Sequence, residues 1–452
     1  MLKKFVTFII ALVLPTMVLM AQNAPATDGQ TGATTVDGQT GATAQNGHNA
    51  TVDAAMADTT YITFLTCTPG QQIHRLYGHT ALRFVNSRED WAVNFGWFSF
   101  NTPNFVMKFI LGLTDYSMAY QTMGIFVNDL MRDDMKVHEQ LLNLTPREAE
   151  YVRATVDGIL TKDGFESHEY NFDGLSKPER ILAAKWTYRY NFLYDNCTTR
   201  AVEIIKEALK AEGETLFYPS PGTEPTTQRT MIHEFTRNSP WYEFGQDLLL
   251  GPEVDEEHMP QELVDGLNFL PTYAEDFFAQ AMVKDKDGNM RPLVANTRDL
   301  TPFLTPQQPK PSVPFTPLAV AGIILAVALI VTIMQRKAKD EKTIRAWRIW
   351  GNALDFTIMT AQGLVGILLV IMVGWSQHPA VGTNWLLLIF NPLFFLGIPA
   401  RLYGGKFEKA YVWFASIMAI GIMLVAITGL QQIPLAISPL AFIVALRAKR
   451  VK

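Results

Sequence analysis

Apolar and polar positions alternate from about residue 59. Residues 61–65 read Tyr-Ile-Thr-Phe-Leu and stop at Pro69-Gly70, which predicts a β-strand closed by a turn. Residues 79–85 predict a second strand, with Leu82 and Phe84 on one face and His79, Ala81 and Arg83 on the other. Residues 86–90 then read as a hairpin loop into a strand over 91–97. Residues 104–132, rich in aromatics and Met, read as mixed helix and strand, and another strand follows near 135–142. Thr145, Pro146 and Glu148 have the N-cap, N1 and N3 chemistry of a helix that runs through Ile159. A stretch at 168–172, a helix near 178–188 and a Pro-rich tail near 219–225 lie on either side of the most informative segment. In that segment Phe192, Leu193 and Tyr194 give way to Val202, Ile204, Ile205, Ala208 and Leu209 at helical intervals, ending at Gly213. Strands clustered ahead of the main helices predict an α+β domain.

Beyond a Pro-rich linker at 305–316 the pattern changes to long apolar runs near 317–334, 356–375, 385–402 and 411–430, with a shorter one at 433–446. A bilayer crossing takes roughly 20 such residues, so residues 317–452 predict an all-α membrane domain of about five transmembrane helices. Arg336, Lys337, Lys339, Lys342, Arg345 and Arg348 follow the first run. Arg401, Lys406 and Lys409 follow the third, and Arg447, Lys449, Arg450 and Lys452 the fifth. Loops 376–383 and 431–432 hold no Lys or Arg, so the positive-inside rule puts the basic segments in the cytoplasm and the α+β domain, residues 59–304, outside it. The start of the chain agrees. Met1-Leu2-Lys3-Lys4 and an apolar run to Met20 read as a signal peptide or uncleaved anchor over 1–21. Residues 22–58, rich in Gly, Ala and Thr, contain a near-repeat and read as a linker.

The 452 residues are 48% hydrophobic and 18% charged, an average that suits a soluble part joined to a membrane part. A net charge of −5, with no basic patch among aromatics, argues against nucleic acid as a partner. The two cysteines, Cys67 and Cys197, allow one disulfide at most. No cofactor motif is found, since no Gly-rich loop precedes a helix.

The chemistry centres on Tyr194-Asp195-Asn196-Cys197-Thr198-Thr199-Arg200 and Gly78-His79-Thr80-Ala81-Leu82-Arg83. Asp195 or Asn196 as N-cap places Cys197 in the first helical turn, where the dipole and free N–H groups favour a thiolate. A histidine within reach would complete a Cys–His nucleophile. His79, beside the small Ala81 on the face away from Leu82 and Phe84, is the candidate, on the expectation that the helix approaches that face. Asn94 is the candidate to orient the imidazole, with Asp90, Asn86 and His74 as competitors. Arg200 reads either as a solvated residue or as a phosphate contact, and with Arg83 it is a candidate substrate-binding residue. Cys67 is a rival nucleophile or a disulfide partner. A zinc site from Cys67, His74, His79 and Cys197 would have unusual ligand spacing.

The paired motifs resemble the Lnb-type lipoprotein N-acyltransferases. The order His first, Cys later, is also similar to the permuted NlpC-type/lecithin–retinol acyltransferase group. Thr66-Cys67-Thr68-Pro69-Gly70 and Asn384-Trp385-Leu386-Leu387-Leu388-Ile389-Phe390-Asn391-Pro392-Leu393 add to the match, which runs from about residue 59 to the end. The resemblance implies a papain-like α+β fold with Cys197 and His79 as the dyad, in a multi-pass protein of the inner membrane. It also implies transfer of an acyl chain from a phospholipid donor to the amino terminus of a diacylated lipoprotein acceptor. The Cys197 N–H would contribute to an oxyanion hole. The competing readings are an NlpC-type cell-wall hydrolase and a non-enzymatic periplasmic binding module.

Overall fold

The computed structural model describes residues 60–98, 104–161, 187–218, 224–305 and 314–449. The leader at 1–21, the linker at 22–58, the stretch at 168–172 and most of the Pro-rich tail lie outside the described residues, as does most of the helix expected near 178–188. The last residues of that expected helix are strand instead, since Tyr188 lies in Thr187–Arg189.

Two compact units are present. The first, built from residues 24–225 and 258–309, is organised on a seven-stranded antiparallel sheet. Its strands are β1 (Tyr61–Cys67), β2 (His79–Val85), β3 (Asp90–Trp97), β4 (Asp115–Thr122), β5 (Val137–Leu142), β6 (Thr187–Arg189) and β7 (Val294–Asp299). In space they run β7-β5-β1-β2-β3-β4-β6, so β2 is central. The helices that matter are α1 (Met123–Met131), α2 (Pro146–Thr161), α3 (Cys197–Ala211) and α4 (Pro271–Gln280). At the start of α2 the Thr145 N–H donates to Glu148 at 2.7 Å and the Glu148 N–H to the Thr145 hydroxyl at 3.4 Å.

Each sheet face carries its own apolar cluster. Ile62, Phe64, Leu82, Phe84, Val93 and Phe95 bury against Ala201, Ile204, Ile205 and Ala208 of α3, Val152 and Val156 of α2, and Phe278 of α4. Each fully buried Leu or Phe there is worth about 1.5–3 kcal/mol. The opposite face carries Leu65, Cys67, Ala81 and Ala92, covered by Met123, Phe126 and Leu130 of α1. The cysteine helix therefore lies on the Leu82/Phe84 face, not on the His79/Ala81 face as the sequence suggested. The reason is its apolar stripe, which the larger side chains of that face match. On the α1 face a buried ion network holds β1, β2, β5 and β7 together: Glu139 accepts from Thr63 at 2.8 Å and Arg83 at 2.7 Å, and pairs with Arg298.

The second unit contains residues 226–257 and 310–452. Its membrane helices are α5 (Pro317–Lys337), α6 (Glu341–Trp375), α7 (Gly397–Tyr403), α8 (Gly405–Thr428) and α9 (Ile437–Arg447). Four segments are long and apolar enough to cross a membrane. The fifth, α9, has 11 residues, about 16 Å of helix, and falls short of a bilayer core. The third crossing is broken. Two 3₁₀ turns, Trp385–Leu388 and Pro392–Leu396, precede α7. The Asn384 and Asn391 side chains cap these turns, and Asn391 also donates to the Leu387 carbonyl at 2.9 Å. Gln362 of α6 donates to the Ile389 carbonyl at 2.8 Å. Irregular backbone is thus satisfied by neighbouring amides, as an apolar solvent requires.

At the basic ends of the helices, Arg336, Lys337, Lys339, Lys342, Arg345 and Arg348 are exposed. Arg401 and Arg447 turn inward onto Asp355, at 3.4 and 2.7 Å. At the other end, loop 376–383 and Gln431 receive helices Gln228–Thr236 and Pro240–Leu249. Asn384 donates to the Leu248 carbonyl at 2.8 Å and Gln431 to the Leu250 carbonyl at 3.1 Å. Fully buried Arg229 holds this cap together through Asp247 at 2.7 Å and Asp255 at 2.5 Å.

Gly366 allows α6 to touch the broken span, because a Cβ there would lie 2.3–2.5 Å from the Asn391 backbone. Gly366→Ala should lower the thermal midpoint of the purified protein by several degrees, from about 1–3 kcal/mol of overpacking. Unchanged melting would show that this contact does not hold the membrane half together.

Candidate active site

Asn196 sets the start of α3. Its Oδ1 accepts from the Thr198 and Thr199 N–H groups at 2.8 and 3.0 Å, and the Thr199 hydroxyl accepts from the Asn196 N–H at 2.7 Å. Its Nδ2 donates to the Phe192 and Phe269 carbonyls at 2.9 and 2.8 Å. With every polar position of the amide engaged, the first turn has one orientation, and Cys197 is its first residue.

The sulfur sits at the beginning of β2. His79, the Thr80 N–H and the Thr198 hydroxyl, the last 4.0 Å away, lie against it. Thr80 and Thr198 are themselves joined, hydroxyl to hydroxyl, at 3.0 Å, which fastens helix to strand. His79 is the first residue of β2, so its ring reaches past the strand end even though the rest of its face points toward α1. Its Nε2 lies 2.9 Å from Asn94 Oδ1, leaving Nδ1 to face the sulfur. Asn94 is held in turn by donating to Gln121 on β4 at 2.9 Å.

Electrostatics follow from this geometry. Burial pushes the Cys197 thiol up, but the His79 charge and hydrogen bond, the Thr80 N–H and the Thr198 hydroxyl outweigh it and hold the thiol below its ordinary value. Burial pushes His79 down, whereas Cys197 and then Asn94 carry it above its ordinary value. Both shifts run in the direction of a thiolate–imidazolium pair. Cys67 lies directly across the ladder from His79, yet burial, and then the Cys197 charge, push its thiol far up. Both cysteines are free.

The structure thus brings together Cys197, His79 and Asn94. Two of the competitors for the orienting role are employed elsewhere: Asp90 takes Arg83 at 2.6 Å, and Asn86 caps its hairpin loop by accepting from the Arg88 and Glu89 N–H groups. Arg83, about 13 Å along the strand from His79, is committed to Asp90 and Glu139. Arg200 is held bidentately by Asp195 at 2.5 and 2.7 Å and stacks on Tyr188 at 3.6 Å. With Tyr194 and Phe277 it lines a cavity of about 400 Å³ beside α3. Sequence reasoning missed Gln121, Thr80 and Thr198. The two threonines stand inside the motifs, whereas Gln121 carries no local signal and is found only through the register of β3 with β4.

These features define a membrane protein that carries a cysteine–histidine–asparagine constellation on an α+β unit. Two family models match the chain, Lnb N-terminal periplasmic domain over residues 48–232 and Lnb transmembrane domain over residues 308–451. Between them they span well over half of it, and the chain belongs to the Lnb family. It is accordingly a membrane protein with a periplasmic domain. No curated protein and no solved structure matches it.

Cys197 is free and retains 8% exposure. Iodoacetamide should modify it at pH values where an ordinary thiol, with a pKa of about 8.5, slows roughly tenfold per unit. His79→Ala removes the cation that holds the thiolate, so the rate inflection should move to higher pH; an unmoved inflection would contradict the pairing. Asn196→Ala should cost about 2 kcal/mol or more, since a cap and two buried carbonyl partners are lost together. Thermal melting of the full chain reads this directly, and a midpoint equal to wild type would remove Asn196 from the argument.

Proposed function

We propose that this chain is a cysteine-dependent lipoprotein N-acyltransferase of the inner membrane. The observation that carries the reading is the Cys197–His79–Asn94 set at a helix start, with the imidazole hydrogen-bonded to Asn94, in a periplasmic unit joined to membrane helices. Family membership points to a lipoprotein-modifying membrane enzyme, and the residues supply its chemistry. The arrangement is papain-like in its parts, with a cysteine at a helix N-terminus and an Asn-oriented histidine on an antiparallel sheet.

In the first half-reaction the Cys197 thiolate attacks the ester carbonyl carbon of a phospholipid. A C–S bond forms, and the carbonyl electron pair becomes an oxyanion near the Cys197 N–H. When the oxyanion collapses, the C–O bond breaks and the lysolipid alkoxide leaves with the proton of the His79 imidazolium. In the second half-reaction the neutral α-amine of a diacylated lipoprotein attacks the thioester. Neutral His79 takes its proton, the C–S bond breaks and the amide is released. Asn94 keeps the ring oriented with Nδ1 toward sulfur throughout. Neither half needs a cofactor. Both substrates are membrane lipids, which gives the spans a purpose that a soluble wall peptide would not. Of the two arginines, we assign the donor phosphate to Arg200, at its cavity one turn beyond Cys197, and a bracing role in the sheet to Arg83.

Purified protein in phospholipid vesicles with a synthetic diacylated lipopeptide should yield a triacylated product with a blocked amino terminus, read by mass spectrometry. Cys197→Ala should abolish the product, and His79→Ala should slow it by about 10²–10⁴. Cleavage of wall peptides by wild type, with no acyl transfer, would replace this reading with a hydrolase.

A further inference from the structure

The connection between β3 and β4 leaves the sheet at the end that carries the site. Ala81 pairs with Asn94 and Trp97 with Ser117, so the start of β2, the end of β3 and the start of β4 lie together there, with His79 among them. β6 pairs with Asp115–Ser117, so the chain also runs on toward Cys197 from that end. Within the connection a short helix, Phe105–Ile110, is apolar at every position but Lys108. It stops at Gly112, φ +67, whose N–H donates to the Phe109 carbonyl at 3.1 Å. Rings fix its inner side. Phe105 stacks on Phe98 with centroids 5.9 Å apart, and Phe98 meets Tyr116 of β4 at 4.9 Å. Arg189 of β6 holds the helix end through the Gly112 carbonyl at 3.4 Å and pairs with Asp115 at 3.3 Å. The outer side is different: Val106, Met107 and Phe109 are 45, 41 and 40% exposed.

We propose that this helix is a second membrane contact: Val106, Met107 and Phe109 enter the periplasm-facing leaflet of the bilayer that the spans cross, with the Lys108 ammonium at the lipid phosphates. Lys108 is the one charged residue in 104–113, so the strip has a cation to meet a phosphate and no carboxylate to repel it. Three exposed side chains fall far short of the roughly 20–30 residues a side that a stable protein interface takes. They suffice for a unit already joined to its membrane, because the tether supplies the effective concentration. The contact brings the Cys197 end of the sheet to the depth at which phospholipid esters lie. That use rests on the acyl-transfer reading; the contact itself does not.

The test reads lipid contact without turnover. Full-length protein carrying Cys197→Ala keeps only the fully buried Cys67 thiol. Into it a nitroxide label is placed at Val106→Cys or, for reference, at Arg88→Cys in the β2–β3 hairpin, at the opposite end of the sheet. In phospholipid nanodiscs, power saturation of the label compares collisions with oxygen, which concentrates in lipid, and with a water-soluble nickel chelate. The oxygen-to-nickel ratio should be severalfold higher at 106 than at 88. Equal ratios, with nickel reaching 106 freely, would overturn the proposal. Protection of 106 from both reagents would show protein covering the strip and would overturn it equally. The two readings separate cleanly. A label in lipid, in a protein whose wild type takes up no acyl group, defeats the acyl-transfer reading and leaves the contact standing. A label in water while acyl uptake proceeds defeats this inference alone.

Discussion

A buried cysteine set against a buried histidine is the constraint around which the sheet-bearing unit is built. Leaving a charge in an apolar setting is costly, and burial alone drives both Cys197 and His79 toward their neutral forms. The shifts toward an ionised pair arise because several groups converge on one point. The strand delivers His79 and the Thr80 N–H, and the helix delivers the sulfur with Thr198 at its side. Neither element suffices alone. Asn196 fixes the helix start, and Asn94 with Gln121 fixes the ring, so the charge meets oriented dipoles that need no rearrangement.

Local signals made much of this legible in the sequence. Alternation gave β2 its bounds at His79 and Val85, and a cap at Asp195 or Asn196 placed Cys197 in the first turn, where the structure has Asn196 as the cap. The face of the sheet that the cysteine helix covers was read wrongly, for an instructive reason. Small Ala81 suggested close approach, but close approach is not what positions α3. Its stripe of Ala201, Ile204, Ile205 and Ala208 follows the apolar area offered by Leu82 and Phe84. His79 still meets the sulfur because it is the terminal residue of its strand. Gln121 was illegible, since it acquires meaning only from long-range pairing, through the register of β3 with β4.

The membrane half follows a related rule in a drier solvent. Hydropathy marks the third crossing as one run, but Asn391-Pro392 interrupts it, and the freed carbonyls find Gln362 and Asn391. Gly366 gives up a side chain to admit that backbone. The same economy of polar groups is seen at the other end, where Asn384 and Gln431 meet the carbonyls of Leu248 and Leu250. The loops involved are those without basic residues, so charge distribution and packing give the same orientation to the spans.

The central claim is that Cys197 accepts an acyl chain. It is tested most directly by the intact mass of the protein after incubation with phospholipid vesicles. The account predicts a mass increase of one fatty acyl group, located on Cys197, released by neutral hydroxylamine as a thioester is, and missing from Cys197→Ala. A full-length protein whose Cys197 thiol is free and alkylatable, yet which takes up no acyl group from any phospholipid offered, would contradict it.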